Sequence, residues 1–177
     1  IDPGPTESAW VAYASGDQEV LTYTRKGGEE NECLLERLRT PLNVDILVIE
    51  MIASYGMPVG REVFETCVWI GRYIEAWHRP YELVTRSQVK LHLCNSARAK
   101  DANVRQALVD RFGGKDVAIG RKAKPGPLYG VTGDCWAALG VAITYAETGL
   151  FVHPARAVGA LRTGGEMVKV SEQGIQD

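Results

Sequence analysis

The sequence predicts one α/β domain in which helices cover both faces of a central sheet. One observation is the run "VDILVIEM", an apolar segment closed by Glu50, which is typical of a strand buried on both faces. Another is that helix-like segments alternate with strand-like segments along the chain. At 177 residues the chain is long enough for one domain with a full core.

The chain begins with strand-like segments. "IDPG" predicts a strand that stops just past Asp2, because Pro3 lacks an N–H and Gly4 favours a turn. A second strand is predicted from Ser8 to Tyr13, and the alternating run "EVLTYT" predicts another. Asp2 is therefore expected at the tip of a strand.

The middle of the chain predicts alternating helices and strands. "ENECLLERLRT" predicts a short helix that ends before Pro41, and "VDILVIEM" follows it as a parallel partner of the first strand. Residues 61–79 predict a long amphipathic helix. Its predicted apolar face consists of Val63, Phe64, Cys67, Val68, Gly71, Ile74 and Trp77. "PYELVT" then predicts a strand and "SQVKLHL" a short helix.

The last third predicts two helices separated by an irregular segment. The first helix is predicted from Lys100 to Phe112, and "GKDVAIGRKAKPGPLYGVTG" holds too many Gly and Pro residues for regular structure. "DCWAALGVAITYAE" predicts a helix with a face of small residues and Asp134 in its first turn, where the helix dipole favours a carboxylate. The domain is expected to cover residues 1–147, and residues 148–177 are expected to form a partly ordered tail.

Composition argues against several classes of protein. No apolar run is long enough to span a bilayer and no signal-like segment opens the sequence, so we expect a soluble, cytoplasmic protein with no membrane partner. The four cysteines form no C-x-x-C pair, which argues against a zinc site and against a disulfide framework.

Charge is segregated along the chain although the net charge is only −2. Residues 1–60 hold ten acidic and four basic residues, whereas residues 86–124 hold ten basic and three acidic ones. This basic segment predicts a surface for a polyanion such as nucleic acid, and a solvated helix face is the alternative.

Three carboxylates are predicted to meet at one edge of the sheet. If the strands that end in Asp2 and Glu50 are parallel neighbours, their tips lie about 4.8 Å apart, and a tightly packed last helix brings Asp134 to the same place. Such carboxylates suit Mg²⁺, with Mn²⁺ as a substitute, and can support phosphodiester cleavage. The structural alternatives are a turn cap for Asp2 and a helix N-cap for Asp134.

Several segments occur in a recognisable order. "IDPG", "LVIE", "VK" followed by "AKDANVRQAL", and "AALGVAITY" together resemble the RuvC family of Holliday junction resolvases, in the ribonuclease H-like superfamily. "GPLYG" before the last helix is similar to the bacteriophage-encoded branch, for which the location would be the host cytoplasm. The resemblance implies a mixed five-stranded sheet flanked by helices, a homodimer, a divalent metal, and paired nicks across a four-way DNA junction.

One position departs from the family pattern. The family's last helix carries an Asp three residues after an Asp or His, and the alignment puts Ala137 at that final position and Asp134 at the earlier one. Asp101 is the nearest candidate for the missing ligand, although the helix dipole explains an Asp at a helix start. A ribonuclease H-like module that binds branched nucleic acid without cutting it is therefore the main alternative. An actin-like ATPase is weaker, because 177 residues hold only one such lobe.

Three further sets of residues are predicted to make intermolecular contacts. The resemblance places the long helix at a dimer interface, with Trp69, Tyr73 and Trp77 as the contact residues. Phosphate contacts are predicted for Lys90, Arg98, Lys100, Arg105, Arg121, Lys122 and Lys124. Tyr55 and Met57 follow Glu50 in a short loop and are predicted to stack on bases opened at a branch point, with a packing role as an equal alternative.

Overall fold

Backbone hydrogen bonds organise the chain into helices and short strands. The computed structural model describes residues 1–24, 27–54, 56 and 58–149. The helices in these ranges are α1 Asn31–Arg39, α2 Arg61–Trp77, α3 Arg86–Cys94, α4 Asp101–Arg111, α5 Lys115–Ala118 and α6 Cys135–Thr148. The strands are β1 Glu7–Ser8, β2 Val11–Ala14, β3 Glu19–Tyr23, β4 Glu29–Glu30, β5 Leu47–Met51, β6 Tyr81–Thr85, β7 Gly120–Arg121 and β8 Lys124–Pro125.

The described strands form four two-stranded sheets. The expected single five-stranded sheet is not present as one continuous sheet among them. Strands β5 and β6 are parallel, and the pairs β1–β4, β2–β3 and β7–β8 are antiparallel. Hydrogen bonds outside these units continue the pairing. Asp2 and Ala9 exchange two bonds of 2.8 and 3.0 Å, the Ile1 nitrogen donates to the Val48 carbonyl, and the Glu50 N–H donates to the Ile1 carbonyl. The first residues therefore run parallel to β5, as predicted.

The side chains of the central strands alternate between two cores. Ile49 of β5 and Leu83 of β6 pack with α1 and α2, whereas Val48 and Val84 pack with α3, α4 and α6. Because successive side chains of a strand point to opposite faces, these helices cover the two faces of the strands, as predicted. We call the two sides the α1–α2 face and the α6 face.

Helix α6 is buried along most of its length, and small residues make this possible. Cys135, Ala137, Ala138 and Gly140 are all buried. A Cβ on Gly140 would lie 3.1 Å from Val89 Cγ1 and 3.5 Å from Val104 Cγ1. The predicted small-residue face thus lets α3 and α4 approach α6 closely.

Helix α2 buries a different face from the predicted one. Its buried residues include Ile70 and Thr66, and the Thr66 hydroxyl donates to the Glu62 carbonyl at 2.8 Å. Phe64 and Val68, which belong to the predicted apolar face, are 60% and 63% exposed. The prediction is wrong at these two positions because apolar residues surround most of the helix and a Thr bonded to its own backbone can be buried.

The segment predicted to be irregular contains α5 and the β7–β8 hairpin. The glycines there allow close approaches of the backbone: a Cβ on Gly126 would collide with the carbonyl oxygens of Val117 and Ala118. The prediction failed because the sequence does not distinguish a Gly that allows two backbone segments to approach closely from a Gly that forms a turn. None of the described helices has the length and hydropathy needed to cross a bilayer. All but the first two residues of the predicted tail lie outside the described residues.

Candidate active site

Asp2 and Glu50 lie side by side at the ends of neighbouring parallel segments. The Glu50 N–H donates to the Ile1 carbonyl at 2.8 Å, which fixes their register. Ile1 and Ile49 both pack in the core of the α1–α2 face. The next residue in each segment, Asp2 or Glu50, therefore points to the α6 face. This is the arrangement that the sequence predicts.

Asp134 comes to the same region from the start of α6. It occupies the N-cap position, yet within the described chain its side chain accepts no capping hydrogen bond from α6. Its carboxylate is close enough for its charge to act on Asp2. A capping role therefore does not account for Asp134, and its carboxylate is available to a ligand.

The electrostatics of Asp2 reflect this convergence. Burial, followed by the negative charge of Glu50, raises the pKa of Asp2 to about 7, and Asp134 adds to the rise. Arg86 acts in the opposite direction. Burial and the nearby negative charges of Glu50 and Asp134 thus both disfavour the ionised form of Asp2.

A guanidinium group lies against Glu50. Strand β6 ends at Thr85, which forms a capping box with Gln88 and starts α3. Arg86 is therefore the first residue of α3, beside the end of β5. Its Nη1 donates to Glu50 Oε2 at 2.9 Å, and its Nη2 lies 3.2 Å from Asp101 Oδ1.

Asp101 is held between two cations. Lys90 Nζ lies 3.2 Å from the same Oδ1 atom that Arg86 contacts. Desolvation opposes the charged form of Asp101, but the hydrogen bond from Lys90 and the charge of Arg86 outweigh it and lower the pKa of Asp101. The structure thus gives Asp101, which the sequence suggested as a spare metal ligand, two cationic partners instead.

The carboxylates fit a hard divalent cation by their chemistry. Oxygen ligands from Asp2, Glu50 and Asp134 are those that Mg²⁺ and Mn²⁺ prefer, and a cation would relieve the repulsion that raises the pKa of Asp2. Among the described residues, however, no three His, Cys, Asp or Glu side chains stand close enough together to hold a metal ion as they are placed. Ala137 is buried against the core and supplies no ligand.

The predicted phosphate contacts lie on α3, α4, the segment between them and the β7–β8 hairpin. Six of the seven are exposed: Arg98, Lys100, Arg105, Arg121, Lys122 and Lys124. The seventh, Lys90, is half-buried and paired with Asp101. The guanidinium of Arg105 lies 5.0 Å from the ring centroid of Trp136, at the start of α6. Tyr55 and Met57 lie outside the described residues.

Two of the three predicted dimer contacts are buried in their own chain. Tyr73 is 0% exposed with its hydroxyl 3.0 Å from Ser8 Oγ, and Trp77 donates from Nε1 to the Pro80 carbonyl at 2.9 Å. Trp69 is partly buried, with Arg72 stacked 4.1 Å from its ring centroid. The assignment of Tyr73 and Trp77 to an interface is therefore wrong, because both already complete the core of the α1–α2 face.

The role of Arg86 was not predicted from the sequence, where this residue belongs to the basic segment, although a signal was present. Arg86 directly follows "YELVT", the strand that pairs with the one ending in Glu50. A cation at the end of one parallel strand is well placed to meet a carboxylate at the end of the next.

Comparison with solved structures supports one fold. The chain is similar to a Thermus thermophilus RuvC structure, with a TM-score of 0.51, 18% identity, and coverage of 85% of this chain and 95% of that one. It is also similar to T. thermophilus RuvC in complex with Holliday junction substrate, with a TM-score of 0.54, 17% identity, and coverage of 85% and 94%. No family model matches the chain, and no curated protein does either. The chain therefore has a RuvC-like α/β fold.

Proposed function

We propose that this chain is a metal-dependent endonuclease that resolves four-way DNA junctions by paired nicks. The observation that carries the proposal is the placement of Asp2 and Glu50 side by side on the α6 face, where burial first and then the charges of Glu50 and Asp134 raise the pKa of Asp2. The RuvC-like fold supports it, since one similar structure is RuvC in complex with Holliday junction substrate.

Asp2, Glu50 and Asp134 are the residues that would hold Mg²⁺ or Mn²⁺. When bound, such a metal lowers the pKa of a water and stabilises charge on a leaving oxygen. The chain's own contribution is position: two carboxylates stand on a hydrogen-bonded strand pair and the third on a buried helix. Rigid elements of this kind keep ligands within the narrow tolerance that catalysis requires.

The DNA is proposed to lie across α3, α4 and the β7–β8 hairpin. Six exposed Arg and Lys residues on α4, on the hairpin and in the segment between α3 and α4 can bind phosphates without reading sequence, which suits an enzyme selective for DNA shape. Stacking by Tyr55 and Met57 on open bases remains a prediction. We also propose that β3, β2, Ile1–Asp2, β5 and β6 form one mixed five-stranded sheet through the bonds described above.

A homodimer would supply the two sites that paired nicks require. We place its contact on the outer side of α2, where Phe64 and Val68 are exposed one turn apart. Gly71 follows them, and a Cβ there would meet nothing within 4 Å, so a second helix could approach closely. Placement in the bacteriophage-encoded branch rests on "GPLYG" alone.

A non-cleaving module that binds branched nucleic acid is the second candidate. Two observations favour it: Ala137 provides no ligand, and Glu50 is engaged by Arg86. In this candidate the carboxylates and Arg86 form a structural network, and the basic surface alone is functional.

A junction-nicking assay separates the two candidates. With Mg²⁺, the parent should nick a labelled four-way junction, and Glu50→Gln should reduce the rate by about a thousandfold or more while binding is retained, because a carboxylate holds metal but repels phosphate. A linear duplex of the same sequence is the control substrate. Junction binding by the parent without nicking in either Mg²⁺ or Mn²⁺ would establish the non-cleaving module.

A further inference from the structure

We propose that Arg86 is a built-in counter-cation of the metal site, which holds Glu50 while no metal is bound and moves to Asp101 when a metal binds. This inference rests on the proposed function. It makes Arg86 and Asp101 positioning residues and not metal ligands.

The contacts of Arg86 allow such a transfer. Its Nη1 is 2.9 Å from Glu50 Oε2 while its Nη2 is 3.2 Å from Asp101 Oδ1, so one planar group already spans both acceptors. A guanidinium carries five N–H donors in a fixed fork, and it can lose one partner while it keeps the other. A lysine, with a single ammonium, could not bridge them in the same way.

Burial explains why Glu50 needs a cation at all times. The Glu50 side chain is 14% exposed, whereas Asp101 is 68% exposed. A charge left unpaired in a buried position is costly, but one left at the surface is solvated by water. Glu50 is thus expected to have either Arg86 or a metal as its partner. Asp101, which Lys90 also contacts at 3.2 Å, tolerates the arrival or departure of Arg86.

The arrangement also explains why the described carboxylates do not surround one point. Asp2 and Glu50 occupy adjacent parallel segments, yet Glu50 Oε2 is directed to Arg86. A divalent cation must displace this contact before Glu50 can bind it. We therefore expect the metal-free chain to bind Mn²⁺ more weakly than its carboxylates alone would allow.

Titration of the full chain with Mn²⁺ alone, followed by electron paramagnetic resonance and without DNA, tests the proposal. Arg86→Gln removes the competing cation and should tighten Mn²⁺ binding about tenfold, which corresponds to the loss of a partly buried ion pair of about 1.4 kcal/mol. Lys90→Gln removes the same charge beside the same Asp101 but no described contact with Glu50, and it should tighten binding about threefold or less.

A double-mutant cycle tests the role of Asp101. Asp101→Asn leaves Arg86 with Glu50 alone and should weaken Mn²⁺ binding several-fold in the parent. In the Arg86→Gln background the same change should have little effect, because no guanidinium remains to be transferred. Arg37→Gln is the matched control, since it breaks an Arg–Glu pair of similar exposure with Glu29, far along the chain from this site.

Two results would overturn the proposal. One is a change in Mn²⁺ affinity for Arg86→Gln that is no larger than the change for Lys90→Gln. This result would show that Arg86 acts only through its positive charge. The other is an Asp101→Asn effect that is the same in both backgrounds. If Arg86→Gln fails to fold by circular dichroism, Arg86→Met, which is also uncharged, replaces it and should also tighten Mn²⁺ binding.

The nicking assay on the parent keeps this inference separate from the proposed function. If the parent binds Mn²⁺ and nicks junctions but Arg86→Gln binds Mn²⁺ with parental affinity, only the role of Arg86 is wrong. A parent that binds no Mn²⁺ and nicks no junction contradicts the proposed function, and the inference fails with it.

Discussion

The helices that cover the two faces of the central strands differ in how completely they bury their apolar residues. On the α6 face, small residues let α3, α4 and α6 pack closely, and the buried residues of α6 run along most of the helix. On the α1–α2 face, Tyr73 and Trp77 fill the core, but the outer side of α2 leaves Phe64 and Val68 exposed. We call the α6 face the complete face, because its last helix is buried along most of its length within a single chain. The α1–α2 face is the incomplete face, because Phe64 and Val68 are exposed one turn apart on α2, whereas the exposed Leu91 and Val117 of the other side lie on separate helices, α3 and α5.

This difference separates the candidate active site from the proposed dimer contact, because the two lie on opposite faces. Asp2 and Glu50 point to the complete face, where Asp134 is close enough to Asp2 for its charge to act on it. The exposed pair Phe64 and Val68 is on the other side, so a partner bound there would not compress the site. A two-fold contact on that side would leave both copies of the α6 face open to DNA.

The largest effect is expected from Asp134→Asn, which removes a proposed metal ligand on the complete face. Nicking of a four-way junction should fall about a hundredfold or more, because a ligand is lost. The melting temperature should stay within about 2 °C of the parent, since the side chain makes no capping bond within the described residues of α6. Asp110→Asn, on α4, is the control. A substantial loss of stability with nicking intact would restore the N-cap interpretation.

The next effect concerns the incomplete face. Phe64→Asp combined with Val68→Asp should weaken self-association about a hundredfold or more, because two charges are placed in an apolar contact. Sedimentation velocity over a range of concentrations measures this. Leu91→Asp changes a residue of α3 that is 57% exposed and should leave association unchanged. A parent that stays monomeric at high concentration would contradict the dimer.

A pair of glycine substitutions tests the two faces against each other. Gly140→Val on α6 should lower the free energy of unfolding by about 2 kcal/mol, because added methyl groups enter a contact with Val89 that is already tight. Gly71→Ala on α2 should raise the free energy of unfolding by up to about 1 kcal/mol at low protein concentration, because Ala favours helix and meets open space. Urea unfolding measures both values. If both substitutions changed the free energy of unfolding in the same direction, the difference in packing between the two faces would be contradicted.

A region could be predicted from the sequence where a local pattern of side chains determines its structure. Alternation along short strands placed Asp2 and Glu50 on one face, and the uniformly small and apolar composition of α6 predicted its burial. Helical spacing could not choose the buried side of α2, because apolar residues occur on most sides of that helix, and Tyr73 fills the core while Phe64 is exposed. The position of Arg86 directly after β6 was a signal for its pairing with Glu50, but its contact with Asp101 depends on the spatial register of α3 and α4, which no local pattern encodes.

The smallest effect is a pH dependence that arises from Asp2. Its pKa is raised to about 7 in the folded chain from an ordinary value of 3.8, so the folded chain binds more protons than the unfolded chain between these limits. Stability should therefore decrease as pH rises through this window. Asp2→Asn carries no charge at any pH and removes this contribution.

In metal-free buffer, the melting temperature of Asp2→Asn should match the parent near pH 4 and exceed it by a few degrees at pH 8. The difference between the two proteins cancels other groups that titrate in the same range. Adding Mg²⁺ at pH 8 should stabilise the parent and reduce the gap, because a bound cation relieves the repulsion among Asp2, Glu50 and Asp134. A gap that does not change between pH 4 and pH 8 would contradict the raised pKa of Asp2, and with it the burial and the neighbouring charges that cause it.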